Sequence, residues 1–310
     1  MSILNRPSDG LFNVLIALTK CLVSQGSLSR DKLLNLCIPK SVDPEQDMAT
    51  KTLNRWVELG VLATEKGGLI TIAEPFRKAL SKKKYSLQQL VNSITLRVFD
   101  ESNNENFWYS EENKSADFCR AQAWMLMQDV YSFRPKSWKE VEAFATQQGV
   151  EKPATSKQKC TPETPRVFGN GTRWNGFTSW SDFLGFGNTM FGEFSIDPTQ
   201  AIRPHLCEIV PSKESLPIAD FVDAIALKLP VLDGGVFRKL VEEKVNSSKW
   251  EAPKANELST SFSRSLLRFS ADGTIKLENK ADARDKRVLL GKGSAQLETV
   301  SHIRAGENLS

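Results

Sequence analysis

The sequence predicts a mostly α fold with small β-hairpins, an α+β chain in several domains. Three observations carry that prediction. Near each end, three short runs with apolar residues at helical spacing are followed by strand and turn signals. Between the ends lies a helical stretch that closes in aromatics interleaved with glycines. At 310 residues and 40% hydrophobic content, the chain can bury two or three ordinary cores. The expected divisions fall at 1–97, 98–205, 206–292 and a tail at 293–310.

At the N-terminal end, Pro7-Ser8-Asp9-Gly10 offers N-cap chemistry, and Leu11, Val14, Leu15, Leu18 and Leu22 then line one helix face until Gly26. A second helix starts at Ser29, whose side chain can cap free N–H groups, carries Leu33, Leu34 and Leu36, and ends at Pro39. The third, from about Asp47 to Leu59, turns Ala49, Leu53, Trp56 and Val57 inward and Thr50, Lys51, Asn54, Arg55 and Glu58 outward. Gly60 closes it. Residues 61–64, 65–68 and 69–72 read as strand, turn and strand. Three short helices followed by a hairpin make a winged helix-turn-helix domain.

In that fold the third helix enters the major groove, and the wing touches phosphates. Thr50, Lys51, Asn54 and Arg55 are therefore the groove candidates, Lys66 marks the wing tip, and Lys82, Lys83 and Lys84 follow for backbone contact. Asparagine can pair with adenine edges and lysine or arginine with guanine. Winged helices also dock proteins, which stands as the alternative; the basic outer face favours nucleic acid.

Ser86 to Phe99 reads as a helix leading out of the first domain, and the polar stretch Asp100 to Asn113 as a linker or exposed loop. Ala116 to Tyr131 and Ser137 to Gln148 are amphipathic helices, and Gly149 to Pro165, rich in Lys, Thr and Pro, reads as a flexible loop. Phe168, Trp174, Phe177, Trp180, Phe183, Phe186 and Phe191 follow. Beside Arg166 and Arg173 they can stack unpaired bases, but the acidic balance of the region favours a core. A helix at Trp174 to Leu184 and a strand-like Gly192 to Ile202 would make this middle domain a degenerate winged helix.

The opening pattern returns near the C-terminus. Ile218, Phe221, Val222, Ile225 and Leu229 mark one helix, and Val236, Phe237, Leu240 and Val241 a second. A third buries Leu258, Phe262, Leu266 and Phe269 and offers Ser261, Arg264, Ser265 and Arg268. Asp272-Gly273 turns the chain into a strand at 274–278; a wing at Asn279 to Lys286 would return through 287–290. Arg264 and Arg268 on the helix, and Lys280, Arg284, Lys286 and Arg287 on the wing, are the second set of DNA-binding candidates. A solvated hairpin, with Asp282 and Asp285 offsetting the charge, is the plainer reading of that wing. The domains would then be tandem winged helices around an aromatic-rich middle.

The formal net charge of +4 says less than its distribution. Residues 1–97 carry 14 Lys/Arg against 8 Asp/Glu, residues 98–205 carry 11 against 14, and residues 264–292 carry 8 against 4. Basic charge thus gathers at the two winged-helix ends. Five scattered cysteines with no C-x-x-C pair read as buried small hydrophobes, and His205-x-Cys207 is no metal signature, so no metal is expected. No glycine run fits a phosphate loop: Gly185-x-Gly187 lacks the strand-before, helix-after setting, and Gly291-Lys292-Gly293-Ser294 lacks the first glycine. The run Leu11 to Val23 is too short and too polar to span a bilayer, so no leader or membrane partner is expected.

The opening Met1-Ser2-Ile3-Leu4-Asn5-Arg6-Pro7-Ser8-Asp9-Gly10-Leu11, with the two ends and the aromatic middle, resembles the DpdG-type proteins of bacterial clusters that insert 7-deazapurines into DNA and restrict unmodified DNA. The resemblance runs the length of the chain, and its distinctive part is the opening. It implies a phage-defence role beside separate modifying enzymes, helicases and nucleases, and carries over no catalytic residues. The resulting expectation is a cytoplasmic, non-catalytic accessory subunit without cofactors. It would bind double-stranded rather than single-stranded DNA and other subunits of a defence complex. A transcriptional regulator would need dimerisation to match a palindromic operator, and no heptad supports one. A docking scaffold is the other alternative.

Overall fold

The computed structural model describes residues 3–4, 11–109, 114–153 and 155–309, so the Pro7–Gly10 cap lies outside the described residues. The chain is α+β, built of short helices and small, mainly antiparallel sheets. It divides into two compact units, Met1–Asp117 with Thr172–Gly176, and Phe118–Gly171 with Phe177–Ser310.

The first unit runs α1 (Phe12–Gln25), β1 (Leu28–Ser29), α2 (Arg30–Cys37), α3 (Asp47–Glu58), β2 (Leu62–Thr64), β3 (Leu69–Ile72), α4 (Glu74–Arg77) and α5 (Leu87–Val98). The strands form one antiparallel sheet in the order β1-β3-β2, with Leu28 opposite Ile70 and Leu62 opposite Ile72. Leu15, Leu18, Leu33, Leu53, Trp56 and Leu59 are buried together in its core, each burial stabilising by about 1.5–3 kcal/mol. Gly60 ends the third helix in the left-handed region at φ 81°, and a Cβ there would sit 2.7 Å from the Arg97 guanidinium.

Two expectations for this unit need correction. Ser29 stands at the N-cap of α2, but its side chain makes no capping bond; its backbone instead pairs with Leu69. The polar stretch after α5 is not a free linker over its described part. The Asn103 amide donates to Leu59 O at 3.1 Å and Arg97 O at 2.8 Å, and that of Asn104 to Val98 O and Asp100 O, both at 2.8 Å. Both side chains are buried, because they satisfy carbonyls left unpaired where α3 and α5 end. Residues 110–113 lie outside the described residues.

The other elements are α6 (Ala116–Met127), α7 (Trp138–Gln147), α8 (Gly171–Phe183), β4 (Gly187–Met190), β5 (Glu193–Ile196), α9 (Thr199–Ile202), α10 (Leu206–Ile209), β6 (Leu216–Pro217), α11 (Ile218–Lys228), α12 (Val236–Glu242), β7 (Glu257–Leu258), α13 (Thr260–Ala271), β8 (Ile275–Glu278), β9 (Arg287–Leu290), β10 (Gln296–Val300) and β11 (His302–Ala305). In the second unit most of the aromatics form a core, in keeping with the acidic balance of the region, but Phe191 stands outside it. Phe177 meets Phe168 edge-on at 5.1 Å and Phe194 at 5.6 Å, and Trp124 meets Phe168 at 6.1 Å. The strand-like 192–202 resolves into β5, paired with β4, and the helical turn α9. The 149–165 segment has no helix or strand among its described residues but is anchored: buried Glu151 accepts from Phe168 N at 2.9 Å and Gly169 N at 2.8 Å.

The C-terminal wing does not form as expected. β8 pairs with β11, not with β9, and the sheet order is β6-β11-β8. β9 pairs antiparallel with β10 and parallel with β7. The 293–310 tail therefore supplies two strands. They change sheets at Ser301, whose N–H donates to Glu278 O at 2.8 Å and whose Oγ accepts from Lys280 N at 2.8 Å. The buried Val300 and Ile303 lie on either side of that switch.

His205 is half-buried beside α10. Burial, then Lys228, pulls its pKa below the usual imidazole value of 6.5, against the opposing pull of Glu208. The unfolded chain thus takes up this proton more readily, and the contribution to stability is lost as pH falls below about 6.5. Urea midpoints at pH 7.5 and 5.5 should differ less for His205→Gln than for the parent chain; an unchanged difference would discard this origin.

Candidate nucleic-acid interface

On α3 the 3.6-residue repeat turns Asp47, Met48 and Asn54 fully outward, with Thr50 and Lys51 half-exposed. Lys51 is paired with Asp47 one turn earlier. Asn54 Oδ1 accepts from Arg30 Nη2 at 2.6 Å, which brings the first turn of α2 onto the same surface. Sequence reasoning misses Arg30 because only the folded pairing of α2 and α3 places it there. Arg55 corrects the expectation. It is 3% exposed and paired with Glu58 at 3.3 Å, because the buried arc of α3 is wider than a simple stripe and includes Thr52. Thr52 Oγ1 accepts from Leu11 N at 3.3 Å. Lys66 stands exposed in the turn between β2 and β3, and Lys82, Lys83 and Lys84 are exposed between α4 and α5.

The second set is arranged differently. α13 is capped by Ser259, whose Oγ accepts from Phe262 N at 3.3 Å, but it is enclosed on more faces than its apolar stripe predicts. Ser261 Oγ donates to Leu126 O at 2.9 Å, Thr260 Oγ1 accepts from Val130 N at 3.1 Å, and Ser263 Oγ accepts from Leu290 N at 2.9 Å. A helix seated against the end of α6 and against β9 leaves no leading edge for a groove, so Ser261 and Ser265 are core residues rather than readers. Arg264 and Arg268, one turn apart, remain partly accessible. Arg268 pairs with Asp197, and the Arg264 guanidinium lies 5.9 Å from the Tyr131 ring centre. In the 279–286 loop, Lys280 is held by Ser215 and Glu278, Lys286 donates to Ala281 O at 3.3 Å, and Arg284 is exposed. Arg287 is half-buried on β9. Arg166 and Arg173 are committed to the buried carboxylates of Glu151 (3.8 Å) and Asp117 (3.6 Å).

A family model described as DpdG-like matches residues 1–283. The chain belongs to the DpdG-like family. No curated protein and no solved structure matches it. Membership links the chain to the 7-deazaguanine modification system of that family and to a defence setting with several components. Among the described residues no helix is long and apolar enough to cross a membrane.

Other features of this DpdG-like chain have packing explanations. Gly185, at φ 82°, would place a Cβ 2.8 Å from Ala201 N, and one on Gly187 would lie 2.7 Å from both the Phe194 ring and Ser195 O. These glycines let α8 turn tightly into β4; they do not cradle a phosphate. Gly185→Ala is expected to cost about 2–3 kcal/mol in urea unfolding, from the left-handed backbone and the clash with α9. An effect under about 0.5 kcal/mol would contradict that packing. Of the cysteines, Cys119 and Cys160 are buried as expected, Cys21 and Cys37 partly so, and Cys207 is exposed. Burial, followed by the neighbouring Cys21, pushes the Cys37 thiol up to about 12, which keeps it protonated at neutral pH.

Proposed function

We propose that the chain is a non-catalytic subunit that binds duplex DNA within a 7-deazapurine modification and restriction system, and that its first unit is a winged helix. The observation that carries this reading is the outward face of α3, Thr50, Lys51 and Asn54, above a β1-β3-β2 sheet whose turn ends in Lys66. Helix order and sheet order both suit that fold, and the exposed residue types suit groove and phosphate contact. The second unit contributes cations through Arg264, Arg268, Lys280, Arg284, Lys286 and Arg287 rather than through a groove-reading helix.

Docking of another protein is the second reading, favoured by one observation. Val42 is 73% exposed, and Leu36 and Met48 also lie open around the entrance to α3. Anisotropy titrations of the full chain with a random-sequence duplex separate the two. Binding that weakens steeply with salt, without strand scission, is the expected result. No binding at low salt would overturn the DNA reading and leave docking ahead.

A further inference from the structure

The β4–β5 hairpin turns through Phe191 and Gly192, at φ 52° and 78°. A two-residue turn with both central residues left-handed favours Asn-Gly or Asp-Gly; an aromatic in the first position is strained. Phe191 also gains nothing from burial, being 99% exposed beside the open Met190. A strained, uncovered aromatic at a hairpin tip is not what stability alone selects.

The hairpin lines a cleft of about 450 Å³ through Asn188, Met190, Phe191 and Glu193, and Arg134, Arg264 and Arg268 line it too. Its two carboxylates are engaged, Asp197 with Arg268 and Glu193 with Lys136 at 3.1 Å. Arg134 and Arg264 make no salt bridge among the described residues, although Asp197, which pairs with Arg268, also attracts Arg264. Nη1 of Arg264 and Oδ1 of Asn188 are buried with no hydrogen-bond partner there. Buried donors and acceptors without partners are expensive, and a ligand that supplies both an anion and a polar edge would satisfy them.

We propose that this cleft takes an unpaired nucleotide of a nucleic acid strand, its base stacked on Phe191 and its phosphate held by Arg134 and Arg264. The guanidiniums provide the charge and forked donors that phosphate needs, and the open ring provides a stacking face for any base. Asn188 Oδ1 accepts from an exocyclic amine. The site deepens the DNA reading and rests on it: it would give a duplex binder a hold on a displaced or flipped base.

The test uses the full chain, a single-stranded oligonucleotide carrying one 2-aminopurine, and a blunt duplex measured in parallel. Binding should quench the 2-aminopurine. Phe191→Asn should abolish the quench and weaken single-strand affinity by roughly 5- to 100-fold, while duplex affinity holds. Phe191→Trp should restore both signals. Asparagine suits the left-handed turn, so Phe191→Asn should unfold no earlier than the parent chain, and a loss of binding cannot be laid to misfolding. Arg134→Ala should weaken the single strand alone. Unchanged single-strand binding and quench in Phe191→Asn would overturn the proposal, as would a parent chain that binds duplex but no single strand. Binding of neither would overturn the duplex reading as well.

Discussion

Replacing Lys66, Lys82, Lys83 and Lys84 together with alanine is expected to weaken duplex binding by roughly 100-fold at low salt and to flatten its salt dependence. All four side chains are exposed, and no carboxylate holds them among the described residues, so their charge is available to phosphates and their removal leaves the core untouched. Each phosphate no longer neutralised should reduce the slope of log K against log salt by about 0.9. Lys51 is a weaker lever because Asp47 already offsets it. Thr50→Ala with Asn54→Ala should instead alter preference among sequences and leave the salt slope alone, since neither residue carries charge. Anisotropy across a salt series reads both effects. A quadruple variant with the parent slope would remove the β2–β3 turn and the segment after α4 from the interface.

Glu151→Ala is expected to give a large loss of stability, about 3 kcal/mol in urea unfolding. The carboxylate is buried and serves four groups: it accepts from the N–H groups of Lys152, Phe168 and Gly169 and faces Arg166 at 3.8 Å. Removing it takes the acceptor from three donors, those of Phe168 and Gly169 above all, and strands a largely buried guanidinium, each buried group costing on the order of 1–3 kcal/mol before relaxation. Glu151→Gln keeps an oxygen for the N–H groups of Phe168 and Gly169, which share Oε2, and should cost less than half as much. Equal losses for the two variants would assign the effect to the Arg166 pair alone. The segment concerned is polar and proline-bearing, so its composition resembles that of a free loop. One buried acid ties it down.

The difference between what is legible in the sequence and what is concealed there has physical causes. Elements with a sustained period of 3.6, such as α1, α3, α5 and α11, end within a residue or two of their expected bounds, because one buried face dictates the spacing. Arg55 and Ser261 defeat that logic. A helix enclosed on several sides buries polar residues too, and a long arginine can fold back to a glutamate. The pairing of β8 with β11 is hidden because the nearer strand, β9, is equally apolar. Phe191 is legible as one of a run of aromatics but not as the exposed member, since exposure there depends on the β4–β5 register. The first unit's candidate cations are all visible in the sequence except for the place of Arg30, which depends on its hydrogen bond to Asn54.

Hydrogen exchange of the full chain, with and without a random-sequence duplex, tests the central claim most directly. Protection should appear over α3, at the 65–68 turn and at 82–84, and should fade as salt is raised. Binding that left these segments unprotected would contradict the proposed interface, and protection confined to α13 would reverse the roles of the two units.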